Sequence, residues 1–317
     1  VLVGALVQNF GGFPETGRST RACVDLAQHA ERAGFASVWV TDHIVLPAHR
    51  EAPYPHNDSG HFPYTADQDI HEPLVLLGAL AQATERVTLG TAVLVIPYRH
   101  PLTTAKMLAT ADQLSGGRVV LGTGVGWLRD EFEALGIGEH YRVRGRVTDE
   151  YLTVLRQAWT SDEPFAHHGT HVDFGPIGAL PRPARRPHPP IWVGGKGTRA
   201  LARAVEHGDG YFAISSGPDE LADEVRALHQ QARSAGRDPA GLTVALIDGI
   251  VVTDRALAAD RSPLHGTPEQ IAEGLARFAA AGLDHLVAGV RLAGDATYAG
   301  ACAALDAVSP VLHDLLP

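Results

Sequence analysis

The chain has 317 residues, 45% of them hydrophobic and 20% charged, which is not the composition of a disordered chain and suits one able to bury a large core. A formal net charge of −10 argues against nucleic acid or an anionic membrane as a general partner. No apolar run reaches the ~18 residues of a membrane span and the first residues do not read as a secretory leader, so a cytoplasmic protein is expected.

Apolar runs alternate along the chain with stretches of helical periodicity. VLVGALV (1–7) reads as a strand and 19–34 as a helix; ASVWVTD (36–42) is the second strand, followed by a helix over 72–85. VTLGTAVLVI (87–96) and a helix over 101–115 come next, then RVVLGTG (118–124) with a helix over 146–160. PIWVGG (190–195), GYFAI (210–214), TVALIDGIVV (243–252) and HLVAGVRL (285–292) complete the strands, with helices over 198–208, 218–235, 267–281 and 296–308. Eight strand-then-helix units with continuously apolar strands predict an α/β fold, a (β/α)8 TIM barrel, because a closed parallel barrel buries its strands on both faces. No linker divides it, so 1–317 reads as one domain. The irregular excess lies in 47–71, 127–142 and 162–189, and the first two are insertions at the C-terminal face, where barrel enzymes keep their chemistry.

That placement gives meaning to Asp42 and His43, two titratable residues that end an apolar strand. A histidine at such a rim can give or take a proton near neutral pH, and Asp42 is expected to orient it or to meet a ligand's tail. The run GGKGT places Gly194, Gly195, Lys196, Gly197 and Thr198 between a strand and a helix. Bare backbone amides, a helix N-terminus and a lysine make a phosphate cradle there, or the glycines serve only a tight turn. Gly122, Gly124 and Gly126 alternate at the end of the fourth strand, leaving room for a flat ring or marking a crowded rim. Trp127 walls a substrate or anchors its own loop. The excursion 47–71 carries Tyr54, Phe62 and Tyr64, and reads as a lid over the reactive face or as a surface loop. His167, His168 and His171, and His49, His56, His61 and His71, lack a carboxylate at ligand spacing, so no metal is expected. No G-x-S-x-G elbow is present, and hydrolysis is not expected.

GFASVWVTDH, ERVTLGTAVLVIPYRHP, GGRVVLGTGVGWLRDEF, RGRVTDEYL and PPIWVGGKGTRAL form a long ordered pattern. It resembles the bacterial luciferase-like superfamily of flavin- and deazaflavin-dependent oxidoreductases and monooxygenases, and within it the branch that uses coenzyme F420. The resemblance implies a cofactor phosphate at 194–198, a non-prolyl cis peptide at Ala92–Val93 supporting the cofactor ring, and a cofactor surface that includes Asp42, His43, Gly124 and Arg144. Where FMN-using relatives carry a tyrosine, this chain has Gly145, which is expected to open space for the longer tail of F420, with Arg144 and Arg146 meeting its charges. The sugar-phosphate dehydrogenase branch carries a glutamate where Trp127 stands, so that activity is not expected. The resemblance implies hydride transfer between F420 and a small organic substrate, with His43 catalytic and Phe62, Tyr64 and Trp127 lining the substrate pocket. The alternatives are a two-component monooxygenase using reduced FMN and oxygen, and a non-catalytic flavin-binding barrel. A homodimer, and a separate flavin or F420 reductase, are the expected partners.

Overall fold

The computed structural model describes residues 1–49, 53–55 and 59–314. Eight parallel strands, β1 (Leu2–Leu6), β2 (Ser37–Val40), β3 (Thr88–Thr91), β4 (Val119–Gly124), β5 (Ile191–Gly194), β6 (Gly210–Ile214), β7 (Thr243–Val252) and β8 (His285–Leu292), pair in sequence order, and β8 pairs back with β1. The ring is therefore closed, a (β/α)8 barrel. Helices α1 (Ser19–Arg32), α2 (Pro73–Ala83), α3 (Pro101–Ser115), α4 (Arg129–Ala134), α5 (Arg144–Thr160), α6 (Thr198–His207), α7 (Pro218–Ser234), α8 (Pro268–Ala280) and α9 (Tyr298–Asp314) connect or follow the strands. No helix among the described residues is long and apolar enough to cross a membrane.

Two cores result from the alternation of strand side chains. The larger lies between strands and helices and contains Val38, Val40, Leu89, Leu121 and Leu246, all fully buried. The smaller fills the barrel with Trp39, Ala92, Val120, Trp192, Phe212, Ala245 and Val287. Trp39 and Trp192 stack there at 5.2 Å, with Phe212 edge-on to Trp39 at 5.5 Å. At the N-terminal end of the barrel, Trp39 Nε1 donates to Ser37 Oγ (2.6 Å), and that hydroxyl lies 2.7 Å from His285 Nε2. Burial pushes the His285 imidazole down to about 4.

The expected single strand over 87–96 divides in two. The peptide Ala92–Val93 is cis, β3 stops at Thr91, and Leu94–Val95 pairs separately with the end of β4. The 162–189 insertion holds an antiparallel hairpin, Phe165–His168 with Asp173–Ile177, fastened to α5 by Glu150, whose carboxylate accepts the amides of Thr170, His171 and Val172. Helix α4 arises within the 127–142 insertion, where no helix is predicted from the sequence.

Candidate active site

The chain leaves β2 through Thr41, which is fixed by the buried Asn9. The Asn9 amide accepts from Thr41 N (2.9 Å) and donates to the carbonyls of Thr41 (2.8 Å) and His71 (3.2 Å). The chain leaving β2 and the far end of the 47–71 excursion are thus both held against the loop that follows β1, and an isolated bridge between Phe10 and Ile70 reinforces the attachment.

Asp42 and His43 face different partners. The Asp42 carboxylate is bracketed by the Arg99 guanidinium (2.8 and 2.9 Å) and accepts Val95 N (2.9 Å). Arg99 also reaches Glu72, whose other oxygen caps Val75 N at the start of α2. Burial pushes the Asp42 carboxyl above its ordinary value, and Arg99 opposes the shift. Of the two expectations for Asp42, orienting His43 or meeting a ligand's tail, the first is corrected: Asp42 braces the segment after the cis peptide. His43 Nδ1 instead lies 2.6 Å from Glu131 Oε2, on α4. Glu131 is fully buried and also accepts Tyr98 OH (2.8 Å), Ile44 N (2.6 Å) and Val45 N (3.2 Å). The adjacent Phe132, also fully buried and edge-on to Tyr98 at 5.0 Å, seats α4.

Above His43 stands a group of rings. Phe10 (5.5 Å between centroids), Phe62 (5.3 Å) and Trp127 (6.1 Å) touch the imidazole, Tyr54 packs on Phe62 and Trp127, and Tyr64 packs on Phe10 and Phe62. His43 is consequently only 7% exposed and Phe62 5%. Burial raises the phenols of Tyr54 and Tyr64 above their usual value, so both stay neutral donors. The described part of the excursion therefore lies over His43. His56 falls outside the described residues, and among those described no group of three histidine, cysteine or acidic side chains is placed to hold a metal.

Of the two readings of the glycines at the β4 rim, the structure has the crowded one. A Cβ on Gly124 would meet Val93 Cγ2 at 2.5 Å, and one on Gly126 would meet Val95 and Phe132 at 2.8 Å. Gly194 likewise faces Val93 Cγ1 at 2.9 Å. These glycines admit the protein's own side chains. Ala92 lies buried in the barrel, and Val93 reaches the half-exposed top of its core with Leu6 and Ile247. Open backbone is found instead at Gly249 and Gly289, partners in the β7–β8 register: a Cβ on Gly289 would meet nothing within 4 Å, and one on Gly249 only a carbonyl at 3.9 Å. An apolar floor of Leu6, Val93 and Ile247 beside a bare glycine pair fits a flat tricyclic ring.

The turn after β5 has the backbone its composition requires, with Gly195 at φ +140° and Gly197 at φ +78°, values that side-chain-bearing residues rarely adopt. Lys196, Gly197 and Thr198 are exposed, α6 begins at Thr198, and Lys196 Nζ lies 3.2 Å from Glu220. Arg144 donates to the carbonyls of Gly126 and Tyr141 (2.9 Å each), so it braces the loop that carries Trp127. The room beside Gly145 is not empty: Arg203 Nη2 lies 2.9 Å from the position of a Cβ there, and Arg203 is paired with Asp149.

Sequence reasoning missed Glu131, Tyr98, Arg99, Asn9, Phe10 and the Gly249–Gly289 pair. Glu131 carries no local signal, since the acidic residues Asp130 and Glu133 stand beside it in an insertion read as irregular.

A closed barrel with a histidine–carboxylate pair at its C-terminal rim, beneath an aromatic cover and beside open glycine backbone, defines a barrel enzyme acting on a small molecule with a planar cofactor. The luciferase-like monooxygenase family model matches residues 3–262, and the chain belongs to that family. An uncharacterized protein of Mycobacterium tuberculosis is 36% identical over 225 residues, 69% of this chain and 77% of its own length. The F420-dependent hydroxymycolic acid dehydrogenase of the same organism is 32% identical over 234 residues, 73% of this chain and 59% of the relative. The FMNH2-dependent dimethylsulfone monooxygenase of Pseudomonas putida is 33% identical over 213 residues, 67% and 53%. In three dimensions the chain is similar to an F420-dependent secondary alcohol dehydrogenase in complex with an F420–acetone adduct, with a TM-score of 0.78 at 20% identity, covering 100% of this chain and 99% of the other. The protein is thus an oxidoreductase of the flavin- or deazaflavin-dependent kind.

Proposed function

We propose that the protein transfers a hydride between coenzyme F420 and a small, uncharged organic substrate, with His43 exchanging the accompanying proton. The observation that carries this reading is His43 itself, a titratable group anchored to a buried carboxylate and surrounded on its other side by Phe10, Phe62 and Trp127. A neutral aromatic surround favours an apolar substrate over an anionic one.

The ring would rest on Leu6, Val93 and Ile247 against Gly249 and Gly289, with Ala92 beneath and Gly124 holding Val93 in place. The phosphate would sit on the amides of Lys196 to Thr198, with Gly194 and Gly195, whose own amide donates to the Phe212 carbonyl, shaping the turn and Lys196 adding charge. The exposed Arg146 at the start of α5 would meet the charge of a long anionic tail, while Arg144 is held by backbone carbonyls and Arg203 by Asp149. Bound there, F420 supplies the hydride acceptor or donor. The chain's own part is to exclude water with the Phe62–Tyr64–Trp127 cover and to give or accept a proton at the substrate oxygen. A homodimer in the cytoplasm completes the proposal.

Reduced FMN with oxygen is the second reading, supported by the dimethylsulfone monooxygenase, which is as similar in sequence as the F420-dependent relative. The test is turnover of a panel of alcohols and ketones without oxygen, followed by F420 absorbance, beside oxygen uptake with reduced FMN and the same panel. Anaerobic F420 turnover is expected. Oxygen uptake coupled to substrate loss, with no anaerobic reaction, would replace this reading with the second.

A further inference from the structure

We propose that Glu131 is the positioning residue of this site: it fixes His43 as the tautomer protonated on Nδ1, so that Nε2 is the nitrogen offered to substrate. The inference rests on the reading of His43 as the proton carrier and adds which of its atoms works and what decides it.

The donors and acceptors around the Glu131 carboxylate decide the tautomer. Glu131 Oε1 receives the amides of Ile44 and Val45, and Oε2 receives Tyr98 OH. Burial first, and Glu131 second, hold the Tyr98 phenol far above its usual value, so Tyr98 donates and does not accept. Three donors thus converge on a carboxylate whose side chain is 0% exposed, and the fourth approach, 2.6 Å from Oε2, is His43 Nδ1. A carboxylate that already accepts three hydrogens has one of its about four acceptor positions left, and the hydrogen of this fourth bond is assigned to Nδ1. Nε2 is then left as an acceptor, free to take a proton, and the imidazolium that results keeps its counter-charge in contact.

Local structure enforces this. The carboxylate that holds His43 also holds the next two backbone amides, so the whole 43–45 segment is set by one side chain. Helix α4 is only six residues long, and Phe132, packed on Tyr98 and on Tyr141 (5.5 Å), anchors the turn that delivers Glu131. Phe10, Phe62 and Trp127 enclose the imidazole, so packing resists a ring flip that would exchange the two nitrogens.

The experiment is a long-range proton–nitrogen correlation spectrum of the histidine rings in the full chain, with no cofactor or substrate added, His43 being identified by its loss in H43Q. The expected wild-type pattern is a proton-bearing Nδ1 and a bare Nε2. In Glu131→Gln the side-chain amide can donate to Nδ1, and the Nδ1–H to Nε2–H ratio should fall at least about tenfold, the equivalent of one lost charge-assisted hydrogen bond. A wild-type His43 carrying its proton on Nε2 would overturn the proposal, as would an E131Q protein with the wild-type pattern. If E131Q does not fold, the wild-type spectrum still decides, because a hydrogen shared with the carboxylate must be found on Nδ1 and shifted downfield. Because no turnover is measured, failure of the hydride-transfer reading would leave this result standing, and failure here would leave cofactor use to its own test.

Discussion

Among the described residues the barrel buries one histidine at each end, and the two are wired in opposite ways. His285, 5% exposed at the start of β8, packs on Trp39 and Trp192, has the hydroxyl of Ser37 as its hydrogen-bond partner among the described residues, and burial pushes it down to about 4. His43, 7% exposed beyond β2, meets a buried carboxylate. Burial is therefore nearly equal, and the partner differs. A neutral hydroxyl offers nothing to offset a charge on the ring, so the N-terminal end holds its histidine neutral as a strut for Trp39. A carboxylate gives the C-terminal end a counter-charge for an arriving proton. Burial alone thus does not mark a working histidine; its hydrogen-bond partner does.

The largest effect that would break this contrast concerns His43. His43→Ala should slow turnover by about 10²–10⁴, the range for a lost acid–base group, and leave cofactor affinity within a few-fold. Steady-state kinetics beside a cofactor titration separates the two, and a fully active variant would reduce His43 to a wall.

Next comes the pH dependence of stability set by His285. Its folded value of about 4 lies below the ordinary 6.5. Between those values the unfolded chain binds a proton that the folded one does not, so stability is highest above about 6.5 and falls as pH drops toward 4. The loss approaches ~3 kcal/mol. Urea unfolding at pH 7 and pH 5 should register it, and His285→Leu should flatten the difference. An equal slope in that variant would mean another group carries it.

The smallest effect sharpens the C-terminal side. Replacing Phe62 and Tyr64 by alanine should change the ratio of kcat/KM between large and small substrates by about tenfold, as expected for apolar pocket contacts, and spare cofactor affinity. Unchanged ratios across the panel would make the cover a surface loop.

How much of this could be read in the sequence follows from range. The barrel was legible because each strand announces itself over a few apolar residues. His43 was legible for the same reason, as the residue where the second apolar run ends. Its partner was not. Asp42, adjacent in sequence, was the natural choice, but successive residues of an extended segment project to opposite sides, and Asp42 turns to Arg99. Glu131 is 88 positions away and indistinguishable locally from Asp130 and Glu133. The glycines show the same limit: the alternation of Gly122, Gly124 and Gly126 left a ring surface and a crowded rim both open, and Thr91 O, Val93 and Phe132 fill what they leave. Which side chain occupies a glycine's space is a tertiary fact, and Gly249 with Gly289 gave no pattern to notice.

The central claim is that the C-terminal end, with its glycine turn after β5, binds a phosphate-bearing deazaflavin. The direct measurement is an anaerobic fluorescence titration of F420 and FMN, oxidised and reduced, into the wild type and Gly195→Tyr. The account predicts saturable binding, tighter for F420 than for FMN, and weakened at least about tenfold in the variant, since one lost hydrogen bond to an ionised group is worth roughly 1.5–3 kcal/mol. Unchanged affinity in a folded Gly195→Tyr protein, or no saturable binding of either cofactor to the wild type, would contradict it.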